Sequence, residues 1–194
     1  MLSLDFPGSR QMIDSIDAAV AKGDTHAITQ ALRLSLCDMM HGTEVSLPEC
    51  VFEPNPEHYA RRELYRSEEH GYCVVAMTWG PGQGTPIHDH DGMWCVEGVW
   101  HGALDIEQYE LTEHADQRYR FQNVGSLRAG AGSAGSLIPP HEYHSIRNPS
   151  ASDVTVSLHV YAGPMVRCAV FEPVEGANQW YERDLRQLGL DRVH

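Results

Sequence analysis

Paired cysteines, long apolar runs and positive charge are all scarce in this chain, and each shortage removes a class of explanation. The five cysteines, Cys37, Cys50, Cys73, Cys95 and Cys168, are odd in number, scattered and without a CxxC pair. They read as reduced thiols in a cytoplasm rather than as a disulfide framework. No apolar run approaches the ~18 residues that a membrane span needs, and residues 1–22 mix Asp, Arg and Gln into their apolar positions, unlike a secretory leader. Lysine and arginine number 14 against 27 acidic residues, a formal charge of −13, which opposes nucleic acid or an anionic membrane as partner. No repeat at a fixed interval and no low-complexity linker divides the 194 residues. A single cytoplasmic domain over 1–194 is expected, able to bury about 70% of its unfolded surface.

What is present begins with helix. In Met1 to Gly42, Ile13, Ile16 and Val20 fall at i, i+3 and i+7, with alanines between and beyond them. Gly23 interrupts, Asp24 can cap a second helix, and there Ile28, Leu32 and Leu36 fall at i, i+4 and i+8. Residues 1–45 are therefore expected as helices packed on the remainder of the domain. The segment from Leu47 to Pro56 is a proline-rich connection, after which the periodicity changes.

From Tyr72 the pattern is strand. Tyr72 to Trp79 is a continuous apolar run of the kind covered on both faces, ended by Gly80-Pro81-Gly82. Leu104, Ile106 and Gln108 alternate with Asp105 and Glu107, and further short strands are expected at Arg118 to Phe121, Ser136 to Ile138 and Tyr143 to Arg147. Short strands at such intervals suggest a sandwich or closed barrel. The clearest alternation is Asp153 to Tyr161: Val154, Val156, Leu158 and Val160 share one face, and Thr155, Ser157, His159 and Tyr161 the other. Periodicity alone favours an edge strand with its polar face in water. A barrel with a metal in its lumen offers the alternative, in which the polar face lines the site.

Chemistry concentrates in the stretch from Gly82 to Gly102, GQGTPIHDHDGMWCVEGVWHG. If Ile87 to His90 is a strand, His88 and His90 point to one face and Asp89 to the other. Two adjacent imidazoles make half of a metal site, and a third ligand must come from elsewhere. The spacing of Gly82, His88, His90, Cys95 and Gly102 resembles the first motif of the cupin superfamily, which usually has Glu where Cys95 stands. About fifty residues on, PPHEYHSIRN, from Pro139 to Asn148, resembles the second motif, with His144 as third ligand and His141 where cupins usually have Gly. The resemblance implies a mainly β cupin barrel, a double-stranded β-helix or jelly roll, with N-terminal α-helices.

Further residues narrow the resemblance. Cys95 in place of Glu, Ser157-x-His159-x-Tyr161, and Tyr59-x-Arg61 ahead of Trp79-Gly80 make the chain similar to the thiol dioxygenases, specifically the cysteine dioxygenase type I family, with the barrel spanning 59–171. The resemblance implies Fe(II) on His88, His90 and His144, although three imidazoles suit zinc as well. It implies a small thiol and O2 as partners, L-cysteine becoming cysteine sulfinate. It places Arg61 as the carboxylate clamp, with Tyr59 beside it; strand parity allows only one of Arg61 and Arg62 to face inward. Tyr161 would act on oxygen, held by His159 and Ser157, and Cys95 with Tyr161 matches a pair that forms a thioether in animal members.

Three rivals stand beside that reading. 3-Mercaptopropionate dioxygenases resemble the run PGQGTPIHDH and the segment Val166 to Phe171, but usually carry Gln at position 61 and Arg at 168, where this chain has Arg61 and Cys168. Mercaptosuccinate becomes a candidate if Arg61 and Arg167 both face inward. From other classes come a non-catalytic ligand-binding cupin and a zinc or manganese isomerase; the latter would need a carboxylate ligand, which Glu97 supplies only if its strand bulges. His141 reads as surface.

Overall fold

The computed structural model describes residues 5–177 and 179–193, so Met1 to Leu4 of the expected helical span lie outside the described residues. Helices α1 (Ser9–Val20) and α2 (Thr25–His41) come first. The strands are β1 (Ala60–Arg66), β2 (Cys73–Trp79), β3 (Ile87–His88), β4 (Cys95–His101), β5 (Ala103–Ala115) and β6 (Arg118–Gly130). They end with β7 (Ala134–Leu137), β8 (His144–Arg147), β9 (Thr155–Tyr161), β10 (Arg167–Pro173) and β11 (Trp180–Gln187). Five strands form one sheet in the order β1-β2-β9-β4-β7; the other six close on themselves as β10-β11-β6-β5-β8-β3. This is the mainly β barrel with N-terminal helices that the sequence motifs imply.

The Asp24 carboxylate accepts the Ala27 N–H at 3.0 Å, which caps α2 as its position suggests. Ile16, Leu32 and Leu36 are fully buried, in one cluster with Val74, Ala76, Val156, Leu158 and Val160. The helices thus cover the outer face of the five-stranded sheet. Each fully buried Leu or Ile contributes about 1.5–3 kcal/mol relative to its exposed state. The opposite face of the same strands is left to line the interior.

That packing overturns the edge-strand reading of Asp153 to Tyr161. Strand β9 is central, hydrogen-bonded to β2 on one side and β4 on the other, and every residue in it is buried. Its valine face takes the helices; its polar face turns into the barrel. Alternation alone cannot tell water from a polar lumen.

The expected short strand at Arg118 to Phe121 is also corrected. It runs on to Gly130, and with β5 makes a hairpin of 13 residues a side, turned at Asp116 and Gln117 with φ of 50° and 73°. Such left-handed pairs are the two-residue turns that join closely paired strands. The far part is exposed on both faces, so no apolar alternation marks it. Strand β11 pairs with β10 and β6, carrying the strands to Gln187, past Phe171 where the barrel was expected to end. Among the described residues no helix is long and apolar enough to cross a membrane.

Candidate metal centre

Strand β3 holds only Ile87 and His88, so the expected strand through His90 is too long. The two histidines converge all the same, because the chain beyond β3 is pinned by Asp89. Its N–H donates to Ala169 O at 3.1 Å, and its carboxylate accepts the Ala169 N–H at 2.8 Å, which keeps Asp89 away from the imidazoles. His144 arrives from β8 as the direct cross-strand partner of His88. Ligand atoms of His88, His90 and His144 all lie within 4.8 Å of one another.

The neighbours decide the tautomers. His88 Nδ1 lies 3.1 Å from Pro86 O, an acceptor only, so its proton is on Nδ1 and its Nε2 carries a lone pair. That Nε2 is 3.1 Å from His144 Nε2. Burial drives all three imidazoles toward the neutral form, His88 to about 4 and the other two well below the ordinary value. Neutral imidazoles with converging nitrogens are what a divalent cation requires of its ligands.

Strand β9 supplies the next layer. Trp79 Nε1–H donates to Ser157 Oγ at 2.8 Å, and Ser157 Oγ is 2.8 Å from His159 Nε2. An indole only donates, so the serine hydroxyl is free to donate onward, which leaves His159 with its proton on Nδ1. That nitrogen lies 3.4 Å from the Tyr161 hydroxyl. Burial lowers His159 to about 3 and raises Tyr161 well above the phenol range, so both are neutral. Tyr161 faces Cys95 across β4 and Cys73 across β2, at register positions where side chains on one face meet. Burial also holds the Cys95 thiol protonated.

The arginines divide as strand parity requires. Arg61 turns inward beside Tyr59, whose ring stacks on Trp79 at 4.6 Å; Arg62 turns outward to Thr78 Oγ1 and Glu53 O. The Arg61 guanidinium donates to Gly189 O at 3.0 Å and Met165 O at 3.1 Å. Two of its five N–H groups are thus used. A narrow cavity joins Tyr59 and Arg61 to His88, His90, His144, His159 and Tyr161, walled by Met77, Met165, Cys168 and Leu188. Arg167 is not part of it: its Nε–H donates to Asp91 at 2.9 Å on the exposed side. This removes the condition on which the mercaptosuccinate reading depended. His141 is exposed, as expected.

Glu97 stands outside the cluster formed by His88, His90 and His144. The β4 register is continuous from Cys95 to Val99, so no bulge at that point carries its carboxylate in among their converging nitrogens. It sits behind His144 instead, with Oε1 3.7 Å from His144 Nδ1 and Oε2 3.4 Å from His159 Nδ1. Burial pushes its carboxyl up to about 8. Beyond it lies an apolar cavity of about 240 Å³, larger than the one at the histidines but touched by only His144, Glu97 and Ser157 among the side chains described above. Sequence reading missed Trp79 as a hydrogen-bond donor to the site. The available signal was an indole N–H in a run buried on both faces, which demands a partner.

Known proteins resemble the chain. Cysteine dioxygenase type 1 of Rattus norvegicus is 24% identical over 164 residues, covering 73% of this chain and 77% of the relative. The Danio rerio protein of that name is 27% identical over 138 residues, covering 64% and 67%. A solved structure from Klebsiella pneumoniae, described as having a double-stranded beta-helix domain, has 16% identity and a TM-score of 0.48, covering 68% of this chain and 100% of its own. The family description "Cysteine dioxygenase type I" matches residues 51–173, well over half of the sequence, and the chain belongs to that family.

Proposed function

We propose that this protein is an Fe(II)-dependent thiol dioxygenase that converts L-cysteine and O2 to cysteine sulfinate. The observation that carries the substrate reading is the position of Arg61. Among the described residues it is the one guanidinium lining the histidine cavity, while Arg167 is paired with Asp91 outside. One clamp suits one carboxylate.

His88, His90 and His144 would hold the iron. Bound there, iron would supply the charge that favours the thiolate form of the substrate and a redox-active centre for reaction with O2. Both oxygen atoms end on the sulfur of a thiol RSH, giving RSO2H with no further reductant. Arg61 binds the carboxylate with N–H groups left over from Gly189 O and Met165 O, and Tyr59 closes the same side. His159 Nδ1–H donates toward the Tyr161 oxygen, which frees the Tyr161 O–H to donate into the cavity. Met77, Met165 and Leu188 limit water there. Cys95 sets the position of Tyr161 from the neighbouring strand.

The test is oxygen uptake by iron-loaded protein given L-cysteine, cysteamine, 3-mercaptopropionate and mercaptosuccinate separately, with product mass recorded. A gain of two oxygens on cysteine, and little on the others, supports the reading. Preference for 3-mercaptopropionate, which also carries a single carboxylate, would keep the chemistry and overturn L-cysteine as the substrate; silence on all four would favour a non-catalytic cupin.

A further inference from the structure

We infer that Glu97 is a positioning residue of the metal centre: it accepts a hydrogen bond from His144 Nδ1 and so fixes the tautomer that aims the His144 Nε2 lone pair at the cation. The inference rests on the proposed ligand set.

The placement begins with register. Cys95, Glu97 and Val99 alternate onto the inner face of β4, and Glu97 is the direct cross-strand partner of His159 on β9. An acidic side chain is thereby buried with no lysine or arginine as a partner among the described residues. Its Oε2 and the His144 Nδ1 are both buried without a hydrogen-bond partner. Buried polar atoms are rarely left so unless something completes the set.

The histidine nitrogens say what completes it. His88 presents a lone pair at Nε2, 3.1 Å from His144 Nε2. For both nitrogens to bind one cation, His144 must also present a lone pair there, and its proton then sits on Nδ1. The acceptor facing that proton is Glu97 Oε1 at 3.7 Å. A shift of roughly 0.7 Å brings the pair to ordinary N–H···O length. A metal-bound histidine almost always gives its second ring N–H to a carboxylate, carbonyl or water, and the partner fixes ring orientation. Either protonation form of the carboxyl offers the acceptor oxygen. The same side chain faces His159 Nδ1 at 3.4 Å, so one residue touches both a ligand and the imidazole behind Tyr161.

The experiment compares wild type, Glu97→Gln and Glu97→Leu after removal of metal by chelation. Cobalt(II) is titrated into each and followed by visible absorbance. Loss of the acceptor in Glu97→Leu is expected to weaken binding by about 10–100-fold, while Glu97→Gln, which keeps an acceptor oxygen, stays within about threefold of wild type. Circular dichroism of the metal-free proteins reports folding. A folded Glu97→Leu with wild-type cobalt affinity would overturn the inference. Should Glu97→Leu not fold, the Zn(II)-loaded wild type and Glu97→Gln decide it by long-range 1H–15N spectra. The His144 Nδ1–H resonance is expected to move between the two, and an unmoved resonance overturns the inference. Wild type that binds cobalt but oxidises no thiol would refute the proposed activity and leave this test intact. Wild type that takes up no cobalt would remove the ligand set and the Glu97 role together.

Discussion

Acid should unfold the metal-free protein well above the pH at which its surface carboxylates protonate, because four imidazoles are buried in neutral form. His88 is held at about 4 and His159 at about 3, with His90 and His144 also well below the ordinary value, all by burial. In the unfolded chain each titrates near ~6.5. A group whose folded pKa lies below its unfolded one gives full stability above the unfolded value and loses it as pH falls, since the unfolded state takes up the proton. From pH 7 to ~5.5 each histidine costs about 1.2 kcal/mol, and the four about 5 kcal/mol. Glu97, raised to about 8, works in the opposite direction. Its folded form is already protonated while the unfolded carboxyl is not, so acidification returns about 2 kcal/mol. The net loss is about 3 kcal/mol, a large share of a typical stability. Urea unfolding of metal-stripped protein at the two pH values, read by fluorescence and circular dichroism, measures it. His159→Gln should shrink the pH-dependent loss by about 1.2 kcal/mol. Equal midpoints with equal m-values at both pH values, or higher stability at the lower pH, would refute the reasoning.

Three further outcomes are expected. Tyr161→Phe should lower turnover by roughly 100-fold while iron content by mass spectrometry is unchanged; loss of both together would make Tyr161 structural. Arg61→Ala should reduce kcat/KM for L-cysteine by about 10- to 150-fold, from a charge-assisted pair of about 1.5–3 kcal/mol. Arg167→Ala, which removes only an exposed pair with Asp91, should leave it within about twofold; steady-state kinetics on both variants separates the two arginines. Gly102→Ala should cost about 2 kcal/mol and lower Tm by roughly 4–8 °C, because φ is +78° and the new Cβ would lie 2.5 Å from Thr155 Oγ1. An unchanged Tm in differential scanning would contradict that packing.

The histidine cluster was legible because its signal is local. His88 and His90 are two residues apart, and their spacing to Gly82, Cys95 and Gly102 is fixed by one strand and two turns. Even there strand parity is only part of the cause, since β3 stops at His88 and Asp89, hydrogen-bonded to Ala169, carries the chain on to place His90. The inward Arg61 and outward Arg62 were equally legible, because parity along a strand needs no knowledge of neighbours. What the sequence hid depends on which strands lie side by side. The polar face of β9 reads identically whether it meets water or a lumen, and only its central position between β2 and β4 decides. Glu97 is the sharper case. As a ligand two residues beyond the cupin position it needed a bulge, and the register of β4, continuous from Cys95 to Val99, denies it one there. That same register sets it opposite His159 and behind His144, contacts across 62 and 47 residues of sequence that no linear spacing displays. Motif spacing reveals the atoms that meet a ligand directly; the residues that hold those atoms in place come from strand pairing, and they become visible once the barrel is closed.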